Sequence, residues 1–349
     1  MADPADIAIA AASMSFAILL GFSAHRASIC TVRATAEVLS TGRARMFSSF
    51  GKTVIWVFIV SIPVFLLFPA HASRVDGWAV SRMAMLGGFL FGVGAALNGG
   101  CAFSTIGRLC EGKMRMLLTL VGFLGGVGQS LILMADGQMS AAARASPLIN
   151  LTGMPIVGVL AICSGWALWE LFRLWRTRPR QLGWRARIRS RHYRLSTAAF
   201  LMGVSNAFLY LVYGSWNYTA VVRDWMGGIF GIGVVPAVAL WGLLISVIAG
   251  MIISAWERGD FGLEWRPNLS WSLNLSGGLL MGLGAAITPG GNDVLILHQI
   301  PTLSPHTLVA YPALIVGIAV VLIAVQALSG KSMVIHCSED VCTESEKVG

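Results

Sequence analysis

The chain has 349 residues, 56% of them hydrophobic and 12% charged, with a formal net charge of +9. A soluble domain carries about twice that share of charge, and apolar runs of about 20 residues recur along the whole length, so composition excludes a soluble globular protein and points to a polytopic α-helical membrane protein. Nine arginines and no acid fall between Arg173 and Arg194, which marks a cytoplasmic loop beside anionic lipid rather than a nucleic-acid surface. Membrane lipid is therefore an expected partner and nucleic acid is not. Asp3 and Asp6 precede the first apolar run with no basic residue, so no cleaved signal peptide is expected.

In chain order, residues 5–22 are the first predicted span. Residues 23–39 are too polar and short to cross alone, and read as a half-helix that enters and returns where protein or a water-filled cavity shields it. Spans follow at 47–68, 81–97, 114–134 and 154–175, with a second re-entrant piece at 102–112. Beyond the arginine loop the plan repeats: a span at 197–213, a broken piece at 214–224, spans at 229–256 and 271–287, a break at 288–305 and a last span at 306–328. The predicted fold is all-α, with about nine transmembrane helices and four re-entrant half-helices. Residues 1–175 and 196–330 form two inverted halves, joined by a basic cytoplasmic loop at 176–195 and followed by a hydrophilic tail at 331–349. With the basic loop in the cytoplasm, the N-terminus lies outside and the tail inside. Arg43, Arg45, Lys52, Lys113 and Arg115 then share the cytoplasmic face.

The strongest internal repeat is a glycine-rich helix. Residues 87–100 read Gly-Gly-Phe-Leu-Phe-Gly-Val-Gly-Ala-Ala-Leu-Asn-Gly-Gly, and residues 277–290 read Gly-Gly-Leu-Leu-Met-Gly-Leu-Gly-Ala-Ala-Ile-Thr-Pro-Gly. Glycines at this spacing let helices pack closely. A break in an apolar helix, once per half, is how a membrane protein builds a solute path.

The motifs Arg26-Ala27-Ser28-Ile29-Cys30-Thr31-Val32-Arg33-Ala34 and Gly92-Val93-Gly94-Ala95-Ala96-Leu97-Asn98-Gly99-Gly100-Cys101 resemble those of the YeeE/YedE family of inner-membrane sulfur-compound permeases, over roughly residues 7–328. The resemblance implies an hourglass of two inverted halves, with half-helix tips meeting at a narrow centre. It also implies multi-pass placement in the inner (plasma) membrane and passage of a small sulfur-containing anion along cysteines, of which Cys30 and Cys101 match by motif. The second half departs from the pattern: Asn217 stands where Cys30 falls in the first half, and Gly291 stands at the place of Cys101, followed by Asn292.

The expected function is a transporter of thiosulfate or a related sulfur-containing anion. Alternatives are a transporter of another sulfur or selenium species (sulfite, sulfide or polysulfide), or a membrane sulfur sensor. Candidate pathway residues are Cys30, Cys101, Gly99, Gly100, Asn217, Gly290, Gly291 and Asn292. Half-helix N-termini offer unpaired N–H groups and partial positive charge, glycine admits a close approach, and a neutral thiol is a weak, polarizable donor for a soft sulfur. The charges Arg26, Arg33, Glu37, Arg108, Arg223 and Asp224 flank the breaks, where function and snorkelling to headgroups are equally expected. Cys337 and Cys342 in the tail form a candidate site for receiving sulfur or meeting a cytoplasmic sulfur-handling or regulatory protein, against the plainer expectation of a flexible terminus. No nucleotide motif, metal-ligand cluster or nucleophile–base spacing is present, so no enzyme activity, cofactor or metal is expected.

Overall fold

The computed structural model describes residues 4–67, 77–135, 154–177, 183, 188–214, 216–231, 236–265, 270–338 and 340–348. The polar loop at 136–153, most of the short loop after the second span, and Arg178, Arg180, Arg185 and Arg187 of the basic loop lie outside them.

The first half contains α1 (Pro4–Ala27), α2 (Thr31–Thr41), α3 (Arg45–Leu67), α4 (Arg82–Leu97), α5 (Ala102–Cys110) and α6 (Met116–Ala135), and α7 (Met154–Arg176) leads to the basic loop. The second half contains α8 (Leu195–Tyr213), α9 (Tyr218–Ile229), α10 (Val238–Arg258), α11 (Ser270–Ile287), α12 (Asn292–Gln299) and α13 (Thr307–Ser329). Within α12, Leu295–Gln299 is π-helical. Among the described residues eight stretches are long and apolar enough to cross a membrane. A ninth is reached if Trp271–Ile287 and Asn292–Gln299, bent by 46°, count together. The protein is a polytopic all-α membrane protein. The seventh predicted span starts later than expected, at Val238 rather than residue 229. Residues 218–229 are the separate helix α9, and Gly231 and Pro236 in the sequence that follows interrupt any continuation.

Strong helix contacts pass from one half to the other. α1 packs on α10 and α8 on α3; α4 packs on α13 and α11 on α6; α1 meets α8, and α4 meets α11. The glycine repeat explains the last pair. A Cβ at Gly94 would stand 2.5 Å from the Gly277 carbonyl oxygen, and one at Gly284 would stand 2.5 Å from that of Gly87, so the two backbones touch where any larger residue would hold them apart. The other faces of these helices do the same: Gly88 and Gly92 abut the backbone of Ala310 and Leu314, while Gly278 and Gly282 abut that of Thr119 and Phe123.

Several charges within the helices are paired. Arg26, fully buried, donates to Glu257 at 2.6 Å and also to Ser254 and Ser190. Glu170, also buried, accepts from Lys52 at 3.0 Å and from Arg173. Arg223 and Asp224 pair with each other at 2.8 Å. Glu37 accepts from the backbone N–H groups of Arg45 and Met46 at the start of α3, as a carboxylate at a helix N-terminus does.

The tail corrects the expectation of a flexible terminus. β1 (Lys331–Ser338) and β2 (Val341–Val348) form an antiparallel hairpin closed by a Cys337–Cys342 disulfide, with Asp340 in the left-handed region at its turn. Alternation supplies the physical reason: Met333 and Ile335 face the helices, and Ile335 is 1% exposed within the core cluster around Ala34, Ala36, Met46 and Phe50. Polar contacts fasten it. Leu195 N donates to Asp340 O at 2.7 Å, Ser196 N to Asp340 Oδ2 at 3.1 Å, and Arg45 Nη1 to Cys337 O at 2.8 Å. The Glu37 carboxylate lies within 4.8 Å of both sulfurs, but the disulfide leaves neither as a thiolate for a metal.

Candidate functional site

Each of the four short helices begins at one of the positions picked out by the repeat. Cys30 is the N-cap of α2, Cys101 of α5, Asn217 of α9 and Gly291 of α12, all in extended or β-like backbone, and none makes a side-chain capping bond. The breaks before them are local. Ser28 at φ 50 stops α1, and Asn98 with Gly99 at φ 72 stops α4. Gly214 at φ 72 ends α8, and Gly290 at φ 147 follows the end of α11.

The structure brings the four turns together through side chains. Cys30 Sγ lies 3.9 Å from Cys101 Sγ and 3.5 Å from Ser104 Oγ, and both cysteines are buried. Thr31 Oγ1 donates to Asn292 Oδ1 at 2.8 Å, which joins α2 to α12. Thr219 Oγ1 donates to Asp293 Oδ1 at 2.8 Å and accepts from Gly291 N at 3.1 Å, which joins α9 to α12. Asn217 is 3% exposed, and among the described residues its amide nitrogen and oxygen have no hydrogen-bond partner. An unsatisfied buried amide is costly. Gly99 and Gly100 serve the turn: their carbonyls accept from Arg108 Nη2 at 2.7 Å and Asn98 Nδ2 at 2.9 Å. Asn98 ties α4 to α6 and α11, since its Oδ1 accepts from Thr119 and Asn274.

A cavity of about 700 Å³ reaches Cys30 from one face of the protein. Its walls carry Arg33, Arg108, Lys113, Arg115 and Arg258 against only Glu111 and Asp260, and Met333 of the hairpin stands at its edge. A low-dielectric cleft lined by one sign of charge concentrates ions of the other sign. Glu111 offsets part of this field at every ordinary pH. Burial pushes its pKa up, but the neighbouring His25 and Lys113 prevail and hold it at about 2, so it stays ionised.

A basic cleft that reaches Cys30, whose sulfur lies 3.9 Å from that of Cys101, agrees with the sequence comparison. The family described as sulphur transport matches residues 26–320. The chain belongs to that family. The thiosulfate transporter TsuA of Escherichia coli (strain K12) is 23% identical over 314 residues, which cover 80% of this chain and 84% of TsuA. The match takes in Cys30, Cys101, Asn217 and Gly291 and all four short helices. It stops short of the disulfide hairpin.

Four residues of this cluster escaped the sequence reading: Thr31, Ser104, Thr219 and Asp293. A signal existed. Each lies one to three places after an N-cap, within the first turn, where side chains face the helix entrance. Asp293 is the most consequential, because it is a buried carboxylate at the start of α12.

Proposed function

We propose that this member of the sulphur-transport family is an inner-membrane permease for thiosulfate, and that the anion passes the paired thiols of Cys30 and Cys101. The observation that carries the reading is the position of that pair, at the N-termini of two short helices, with Cys30 on the wall of the basic cavity and Cys101 beside it. Thiosulfate is a dianion with one soft terminal sulfur. Arginine and lysine draw it into the cavity, helix N–H groups replace part of its water, and thiol S–H groups make weak contacts with the soft atom. Weak contacts in series suit passage, since a deep well would trap the ion.

In this reading the four short helices are re-entrant half-crossings, and residues 1–175 and 196–330 are inverted halves of an hourglass. The exchange of helix contacts between the halves supports that plan. The basic cavity opens to the cytoplasm, with the N-terminus outside and the hairpin inside, as the arginine-rich loop favours. The similarity to TsuA supports thiosulfate as cargo. Asn217 and Gly291, in place of further cysteines, favour a second cargo class, so sulfite, sulfide and polysulfide are the competitors to include.

The test is uptake of ³⁵S-labelled thiosulfate by proteoliposomes holding the full chain. Uptake above empty liposomes, competed by unlabelled thiosulfate, is expected. Uptake equal to that of empty liposomes sinks the reading, and competition by sulfite or sulfide alone replaces the cargo. Arg33→Gln is expected to raise the KM for thiosulfate about fivefold at low salt with little change in maximal rate. That corresponds to loss of about 1 kcal/mol of screened attraction. An unaltered KM would remove the basic cavity from the path.

A further inference from the structure

Asp293 has no place in a simple anion path, and its surroundings suggest why it is there. It lies two residues past the N-cap Gly291 and is 5% exposed. Its carboxylate accepts from Thr219 Oγ1 at 2.8 Å and Thr219 N at 3.4 Å. Among the described residues no lysine, arginine or histidine pairs with it. The groups on neighbouring elements are equally short of compensating charge. α9 offers Tyr218 and, farther along, the mutually paired Arg223 and Asp224. α5 offers Cys101 at its start and Arg108 toward its far end. α2 offers Cys30, with Arg33 on the basic cavity. α12 itself carries His298, stacked on Tyr210, and α13 carries Tyr311. Phe91 and Phe123, from α4 and α6, are apolar.

A carboxylate removed from water without a cation needs either a proton or a partner. Here a second observation points to a guest. Asn217, two residues before Thr219, is buried with both amide atoms unpartnered. The Thr31–Asn292 hydrogen bond links this cluster to the residue that follows Cys30. A dianion at the thiols is therefore close enough to an ionised Asp293 to be repelled, and a proton on Asp293 removes that repulsion.

We infer that Asp293 is the proton-carrying group of the pathway, so that anion and proton cross in the same direction. The inference rests on the permease reading above. In each cycle Asp293 takes a proton from the side the anion enters, keeps it while the anion passes, and releases it on the far side. No covalent bond other than its own O–H forms or breaks. The role belongs with intramembrane carboxylates that act as proton relays.

The test uses the full chain in proteoliposomes with the membrane potential clamped to zero by valinomycin and potassium, labelled thiosulfate outside and the pH indicator pyranine inside. For the wild type, an outside-acid gradient of one unit is expected to drive accumulation of about tenfold per proton carried. The lumen is expected to acidify with thiosulfate entry, and a protonophore to abolish both effects. Asp293→Asn is expected to show uptake that no longer responds to the gradient, whatever its level. Wild-type uptake that ignores the gradient and brings no acidification overturns the inference and leaves the permease reading standing. So does a gradient response kept by Asp293→Asn. Absence of wild-type uptake under every gradient overturns the permease reading and this inference with it. The pyranine signal decides coupling from the wild type alone; should Asp293→Asn not fold, Asp293→Glu carries the assignment, expected to keep the gradient response with a shifted pH midpoint, and an unshifted midpoint overturns it.

Discussion

Replacement of Cys101 by alanine is expected to lower the initial rate of thiosulfate uptake by tenfold or more. Cys101 is 2% exposed, its sulfur lies 3.9 Å from that of Cys30, and its side chain caps no backbone group of α5. The substitution therefore removes the thiol and its contact with Cys30 but no cap of the helix. A hydrogen bond to a charged group contributes about 1.5–3 kcal/mol, which translates to roughly ten- to a hundredfold in rate when the contact is made at the barrier. Cys101→Ser keeps a donor but loses the polarizable sulfur, so it should fall between alanine and wild type. Proteoliposome uptake at matched protein density, with size-exclusion profiles to show that the variants fold, measures this. A wild-type rate for Cys101→Ala would take the thiol pair out of the mechanism.

The second large effect concerns the fold. Gly94→Val is expected to abolish recovery of monodisperse protein, and Gly284→Val to do the same. At both sites the new Cβ meets backbone: the Gly277 carbonyl and the Met281 N–H group in one case, the Gly87 carbonyl and the Phe91 N–H group in the other. Backbone inside a helix cannot rotate aside as a side chain can, so the whole α4–α11 contact must open. Overpacking of this kind costs about 1–3 kcal/mol where neighbours can yield, and more where they are main chain. The control is Gly125→Val on α6, where no atom stands within 4 Å of the added Cβ and little change is expected. Fluorescence-detected size-exclusion chromatography compares the three. Normal elution of Gly94→Val would remove the close helix contact as the reason for the glycine repeat.

Much of the site was legible because it depends on local backbone chemistry. Cys30, Cys101, Asn217 and Gly291 stand out from the repeat alone, and all four are N-caps. A cap is set by the residues that stop one helix and start the next, and those are neighbours in the chain. The partners of the caps were not legible. Thr31 meets Asn292 across 261 positions and Thr219 meets Asp293 across 74. No spacing rule carries information over such distances when the contact is made by tertiary packing, between the halves for Thr31 and Asn292 and within the second half for Thr219 and Asp293. The hairpin was misread for a related reason. Its composition is polar enough for a solvated tail, and only packing against α2 and its core cluster gives Ile335 somewhere to go.

By itself the sequence determined that this chain lives in lipid, where its helices touch, and where they break. Apolar length, glycine at helical spacing and backbone breakers act through solvent and near neighbours, and need no knowledge of the rest of the molecule. Only the tertiary structure decided that two thiols meet beside a basic cavity that reaches Cys30, that among the described residues the Asn217 amide is left unsatisfied, and that the Asp293 carboxylate is buried without a cation. Those outcomes arise from long-range packing, in which helices of one half supply the walls for the other. Burial and pairing of a polar group are properties of what surrounds it, and the surroundings exist only once the halves have closed on each other.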